Sequence, residues 1–160
     1  MPVNRQLNIA VTFACTHRQN DGGYGGGATY TQTGSTPAAA NIVDADGTIH
    51  LDNWTDFDRA AYNDNVDIEF TLATPCNVTP DNTQLPVAWA TQHGAGMTVT
   101  VPAGGKHDEM EVIYDATKPN VITLKDKDDD SNTYNYKPAV ELTSLNHYYI
   151  SLDPRIVNRP

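Results

Sequence analysis

Residues 97–159 read MTVTVPAGGKHDEMEVIYDATKPNVITLKDKDDDSNTYNYKPAVELTSLNHYYISLDPRIVNR, and this stretch decides the fold class. Met97, Val99 and Val101 alternate with Thr98 and Thr100, and Met110, Val112 and Tyr114 alternate with Glu109 and Glu111. Tyr134 and Tyr136, then Tyr148, Ile150 and Leu152, repeat the pattern. A period of two is that of a strand with one face toward a core and the other toward water. Gly104-Gly105 and the acidic run from Asp126 to Asn132 interrupt the alternation where turns are needed. The stretch predicts a relay of half-buried strands, as in a β-sandwich, and no active site.

Working outward, the same alternation recurs upstream. Leu7, Ile9, Val11 and Phe13 predict a first strand that ends at Cys15, and Val66, Ile68, Phe70 and Leu72 predict another, stopped by Pro75. Ile42-Val43 and Thr48-Ile49-His50-Leu51 flank Asp44-Ala45-Asp46-Gly47, where an Asp-Gly pair supplies the positive φ of a tight hairpin. Pro86 to Thr91 predicts a shorter strand, and Asn53 to Asn65 is the one place where a short helix is expected. Arg18 to Ala40, rich in Gly, Thr and Gln, predicts a long loop or an edge excursion held by the sandwich. The expectation is one all-β domain over residues 1–160, an antiparallel sandwich of immunoglobulin-like or cupredoxin-like Greek-key topology with about nine or ten strands. No repeat of fixed period argues for a propeller or solenoid.

Tyr114-Asp115, the run Lys118-Pro119-Asn120-Val121-Ile122-Thr123-Leu124, the acidic hairpin, Tyr134-Asn135-Tyr136 and the closing Asp153-Pro154-Arg155-Ile156-Val157-Asn158-Arg159 together resemble the DP-EP family of small bacterial domains. That resemblance covers the C-terminal part of the chain. It implies an immunoglobulin-like or cupredoxin-like sandwich with no assigned activity, and so speaks to fold more than to function.

Ten Lys and Arg against twenty Asp and Glu give a formal charge of −10, which repels phosphate backbones and anionic lipid. Nucleic acid is therefore not expected as a partner. No segment approaches the roughly 18 apolar residues of a membrane-spanning helix, and the first fifteen residues lack the apolar core and cleavage site of a leader. A cytoplasmic location follows if Met1 is the natural start. Cys15 and Cys76, the only two cysteines, suffice for one bridge but read equally as small buried hydrophobes.

Several segments resemble chemistry and were weighed against plainer readings. His93 and Met97, with Cys76 upstream and His50 as a second imidazole, form the donor set of a blue-copper centre. Cys76 lies 17 positions before His93, however, whereas such centres place both on one short loop, so no metal or other cofactor is expected and those four residues remain an alternative only. Asp126-Lys127-Asp128-Asp129-Asp130 offers alternate oxygens as a calcium loop does, but it lacks a glycine at the sixth position and a glutamate at the twelfth. A solvated hairpin tip is the expected reading. Gly23 to Ala28 matches a dinucleotide fingerprint in letters only, since Thr29-Tyr30-Thr31 follows where a helix is required. No serine sits in a nucleophile elbow, and no His-Glu-x-x-His or Cys-x-x-Cys occurs. Tyr24, Tyr30 and Trp54 are the binding-loop candidates, with Trp89 a further stacking platform if exposed. The function expected is a non-catalytic binding or self-assembly module with a protein partner or a second copy of itself. A cupredoxin-like metal protein and a carbohydrate-binding module are the alternatives.

Overall fold

The computed structural model describes residues 1–80, 82–91, 96–152 and 154–158. From its first long strand, β1 (Val3–His17), Leu7, Ile9, Val11, Phe13 and Cys15 all turn inward with 2% exposure or less, as their alternation requires. The strand is long enough to engage neighbours on both flanks. One flank carries β2 (Tyr24–Thr36), paired antiparallel from Gln6 to His17. The other carries two strands end to end, both parallel to β1: β4 (Tyr62–Leu72) beside its first part and β5 (Cys76–Thr79) beside its last. β6 (Thr83–Leu85) extends β5, while β10 (Val121–Asp126) and β9 (Met110–Tyr114) extend β4, which completes a seven-stranded sheet.

The second sheet has six strands around β11 (Thr133–Leu142). β7 (Val87–Trp89) and β8 (Met97–Thr100) pair with β11, as do β12 (Tyr148–Ser151) and β13 (Arg155–Val157). β3 (Ile49–His50) adds in parallel to β13. Ile68, Phe70, Ile122 and Leu124 of one sheet and Tyr136, Val140, Ile150 and Ile156 of the other belong to one buried cluster with Trp54 and Trp89, the core of a two-sheet sandwich.

The all-β sandwich is as expected, but three details differ. Thirteen strands are present among the described residues, and the sheets mix parallel with antiparallel pairs, because β1 docks beside strands separated from it by long connections. Residues 53–65 form no α-helix: a 3-10 turn at Leu51–Asn53 precedes an irregular stretch, and Tyr62 already opens β4. Burial of Leu51 and Trp54, 0% and 2% exposed, fixes this segment against the core and overrides its local preference. Lastly, Arg18–Ala40 is mostly strand, and β2 is the second longest in the molecule. The hairpin at residues 42–50 stands as expected, with His50 N–H donating to the Ile42 carbonyl at 2.7 Å and Gly47 at φ +92°. No helix among the described residues is long and apolar enough to cross a membrane.

Candidate functional site

Two places on the sandwich gather features that packing alone does not account for. The first is the outer edge of β2. Among the described residues this strand pairs only with β1, and its other edge joins no strand of its own sheet. At Tyr24 the outward N–H is taken by the Tyr148 hydroxyl at 3.2 Å, and at Tyr30 by the Ala45 carbonyl at 3.0 Å. Because outward groups recur every second residue, Gly26 and Ala28 present theirs between those two caps. A groove of about 290 Å³ runs beside them, lined by Gly26, Gly27, Ala28 and Tyr30 of β2 and by Asp46, Ser151, Leu152 and Pro154. Gly26 is required there, since a Cβ would collide with the Ala14 carbonyl oxygen. A Cβ at Gly27 would meet nothing.

The second place lies at one end of the sandwich, where the β10–β11 turn meets the residue before β9 and the residue after β13. Asp126 and Asp128 are 1% and 0% exposed, and Glu109 is 1% exposed. The expected solvated tip is thus buried at its first and third positions, because two Asx turns fold the run back on itself. Asp126 Oδ1 accepts the Asp128 N–H at 2.8 Å, and Asp130 Oδ1 accepts the Asn132 N–H at 3.0 Å. Asp128, at φ +50°, turns its carboxylate onto Arg5 at 2.8 Å. The Arg5 guanidinium also donates to the Trp54 carbonyl at 2.8 Å and the Asp64 carbonyl at 2.6 Å, and lies against the Trp54 and Phe57 rings.

On the other side of the turn, Asn158 Nδ2 faces three carboxylate oxygens: Glu109 Oε1 at 3.2 Å, Asp126 Oδ1 at 3.4 Å and Asp130 Oδ1 at 3.4 Å. Burial, with the adjoining Asp129 carboxylate, pushes Glu109 up to about 7. Burial, with the charges of Asp128 and Glu109, holds Asp126 well above the usual carboxylate range. Asp130 differs. Burial raises it, but donation from Tyr134, Asn132 and Asn158 outweighs that and leaves it below its ordinary value.

The residues singled out in the sequence fall elsewhere. His50 is in β3 with Nε2 2.7 Å from Asp44 Oδ2, while Cys76 is in β5 of the opposite sheet, beside the Cys15 thiol; both cysteines are free and buried. Met97 is 3% exposed in β8, and His93 lies outside the described residues. Trp54 and Trp89, at 2% and 1% exposure, belong to the core and offer no stacking platform, which corrects their reading as binding candidates. Tyr30 is likewise buried at 4%, so of the binding-loop candidates only Tyr24, half-buried between the His17 and Tyr148 rings, reaches the surface. The sequence offers His107-Asp108-Glu109 for acid–base work in a cleft or, more simply, as an exposed turn, and the structure instead buries Glu109; sequence reasoning missed Asn158. Glu109 sits at an outward position of its strand pattern, and Asn158 belongs to a closing motif noticed only for its resemblance. No protein-family model matches the chain, and no curated protein matches it in sequence.

Proposed function

We propose that the protein is a non-catalytic module that associates with a second copy of itself, the outer edge of β2 pairing antiparallel with the same edge of its partner. The observation that carries this reading is the stretch of that edge between its two caps, where among the described residues no strand pairs with the outward groups of Gly26 and Ala28. Sheet edges in soluble proteins are ordinarily blunted by charge, proline or shortness. Here the edge strands β3 and β6 have two and three residues, and β9 carries Glu111. Tyr24–Thr36 has thirteen residues without a single Asp, Glu, Lys, Arg or Pro.

Charge favours the same place. A chain of net charge −10 repels its copies over most of its surface, and least where a neutral strand meets a neutral strand. Main-chain pairing along Gly25–Thr29 supplies direction, and the two-fold symmetry makes the contact self-limiting. The resemblance of the C-terminal residues to the DP-EP family is compatible with such a role and adds no activity to it.

Two substitutions test this. Ala28→Pro removes an outward N–H where proline is tolerated, and Gly27→Lys places a charge in open space on the same strand. Light scattering over a concentration series should show a dimer for the parent chain and a monomer for both variants, with unchanged far-UV circular dichroism. A parent chain that stays monomeric throughout the series, or variants that dimerise as it does, would defeat the proposal.

A further inference from the structure

We propose that Glu109, Asp126, Asp130 and Asn158 form a binding site for a hard divalent cation of the calcium class. The four side chains come from four separate segments: the approach to β9, the end of β10, the turn into β11 and the exit of β13. Asn158 Nδ2 stands where one oxygen of each carboxylate meets, and each of those oxygens also accepts a backbone N–H, from Asp129, Asp128 and Asn132 in turn.

The second oxygens make the case independently. Glu109 Oε2, Asp126 Oδ2 and Asn158 Oδ1 are all buried, and none has a hydrogen-bond partner among the described residues. Buried polar atoms are ordinarily paired, so three orphans on three contacting side chains mark a missing positive partner. Neighbouring cations are committed elsewhere: Arg5 to Asp128, Lys106 to Asp129 and Lys127 to Asp108. Two carboxylates and one amide each keep an unpartnered oxygen at this cluster, with the Asp130 carboxylate, which accepts from Asn132 and Tyr134, beside them.

Donor chemistry names the class of ion. Every candidate ligand is oxygen, which suits hard cations and not zinc or copper. Calcium takes six to eight oxygens at about 2.3–2.6 Å, whereas the carboxylates now stand 3.2–3.4 Å from the Asn158 nitrogen. No three His, Cys, Asp or Glu side chains among the described residues are already spaced as a ligand shell. Binding therefore requires the Asn158 amide to swing its nitrogen out of that point and turn its oxygen toward it, while the carboxylate oxygens draw in on the vacated point by roughly 1 Å. Magnesium, which demands near-ideal octahedral geometry and dehydrates reluctantly, should fit less well. A cavity of about 190 Å³, lined by Asp67, Asp108, Glu111, Lys125 and Lys127 among others, reaches Glu109 and Asp126 from the surface side of the cluster. A bound ion would tie β9 and β10 of one sheet to the segments flanking β11 and β13 of the other.

The test uses the full chain, stripped with EDTA and dialysed. Calorimetric titration with calcium chloride should give one site per chain with Kd between about 1 μM and 1 mM, and magnesium should bind at least about tenfold more weakly. The thermal midpoint should rise in calcium over EDTA. Asp126→Asn and Glu109→Gln, near-isosteric changes that relieve buried charge, should keep the circular dichroism of the parent and weaken calcium binding at least about a hundredfold. Exposed Asp115→Asn should bind as the parent does. Absence of both heat and midpoint shift at millimolar calcium overturns the proposal, as does calcium binding that survives in both variants. Magnesium binding as tightly as calcium overturns the assignment of the ion. None of these outcomes depends on dimer formation.

Discussion

At the scale of single residues, the Arg5–Asp128 pair is the most exacting contact in the molecule. Both side chains are 0% exposed, and they are 123 positions apart in sequence. A charge buried to that extent tolerates no loss of its partner, because what remains is an uncompensated ion in a low-dielectric interior. Asp128→Asn keeps the shape and removes the charge. It should lower stability by about 3–5 kcal/mol, read as a fall in the urea midpoint with little change in the slope. The cysteines make a second prediction at this scale. Burial and the adjoining Cys76 thiol raise Cys15 to about 11, and burial raises Cys76 as well. Since only the thiolate reacts, about one Cys15 in a thousand is competent at pH 8, and burial hinders even that fraction. Iodoacetamide at pH 8 should leave both thiols unmodified in the folded chain and modify both in urea, as mass spectrometry would show. Rapid alkylation of the native protein would mean that this end of β1 opens readily.

Elements carry the next level of argument, and β2 is where sequence and structure part most instructively. Its thirteen residues hold only one that is fully buried, Tyr30, so no alternation announces a strand. What makes it one is the long ladder that β1 offers, a tertiary cause that local pattern does not contain. The consequence is testable. Deleting residues 22–34, harmless if they were a loop, should abolish cooperative unfolding, because it exposes the flank of β1 and removes Tyr30 from the core. By contrast β1, β4 and the start of β11 were legible, since each has alternate residues that are buried in fact. The acidic turn was legible only as a turn. Its inward-facing aspartates could not be told from its outward ones because Asx turns, and the approach of Glu109 and Asn158 from distant segments, decide which oxygens meet.

For the whole molecule, charge and connectivity set the behaviour. If copies associate through β2 against a mutual charge of −10 each, screening should help them, because the Debye length falls from about 30 Å at 0.01 M salt to about 10 Å at 0.1 M. The dimer fraction measured by light scattering should therefore rise with ionic strength, and a fall would point to an ion-paired interface instead. Connectivity has a consequence of another kind. Asn158 closes the end of the sandwich, and β13 supplies the ladder on which β3, more than a hundred residues earlier, depends. On the ribosome, β1 and β2 emerge and can pair early, yet the second sheet cannot be completed until β13 is made. Until then the nascent chain holds sheets whose apolar faces are partly open. It is a natural client for whatever shields apolar surface at the exit tunnel, and a chain truncated before β13 should be released into proteolysis instead of into the folded pool.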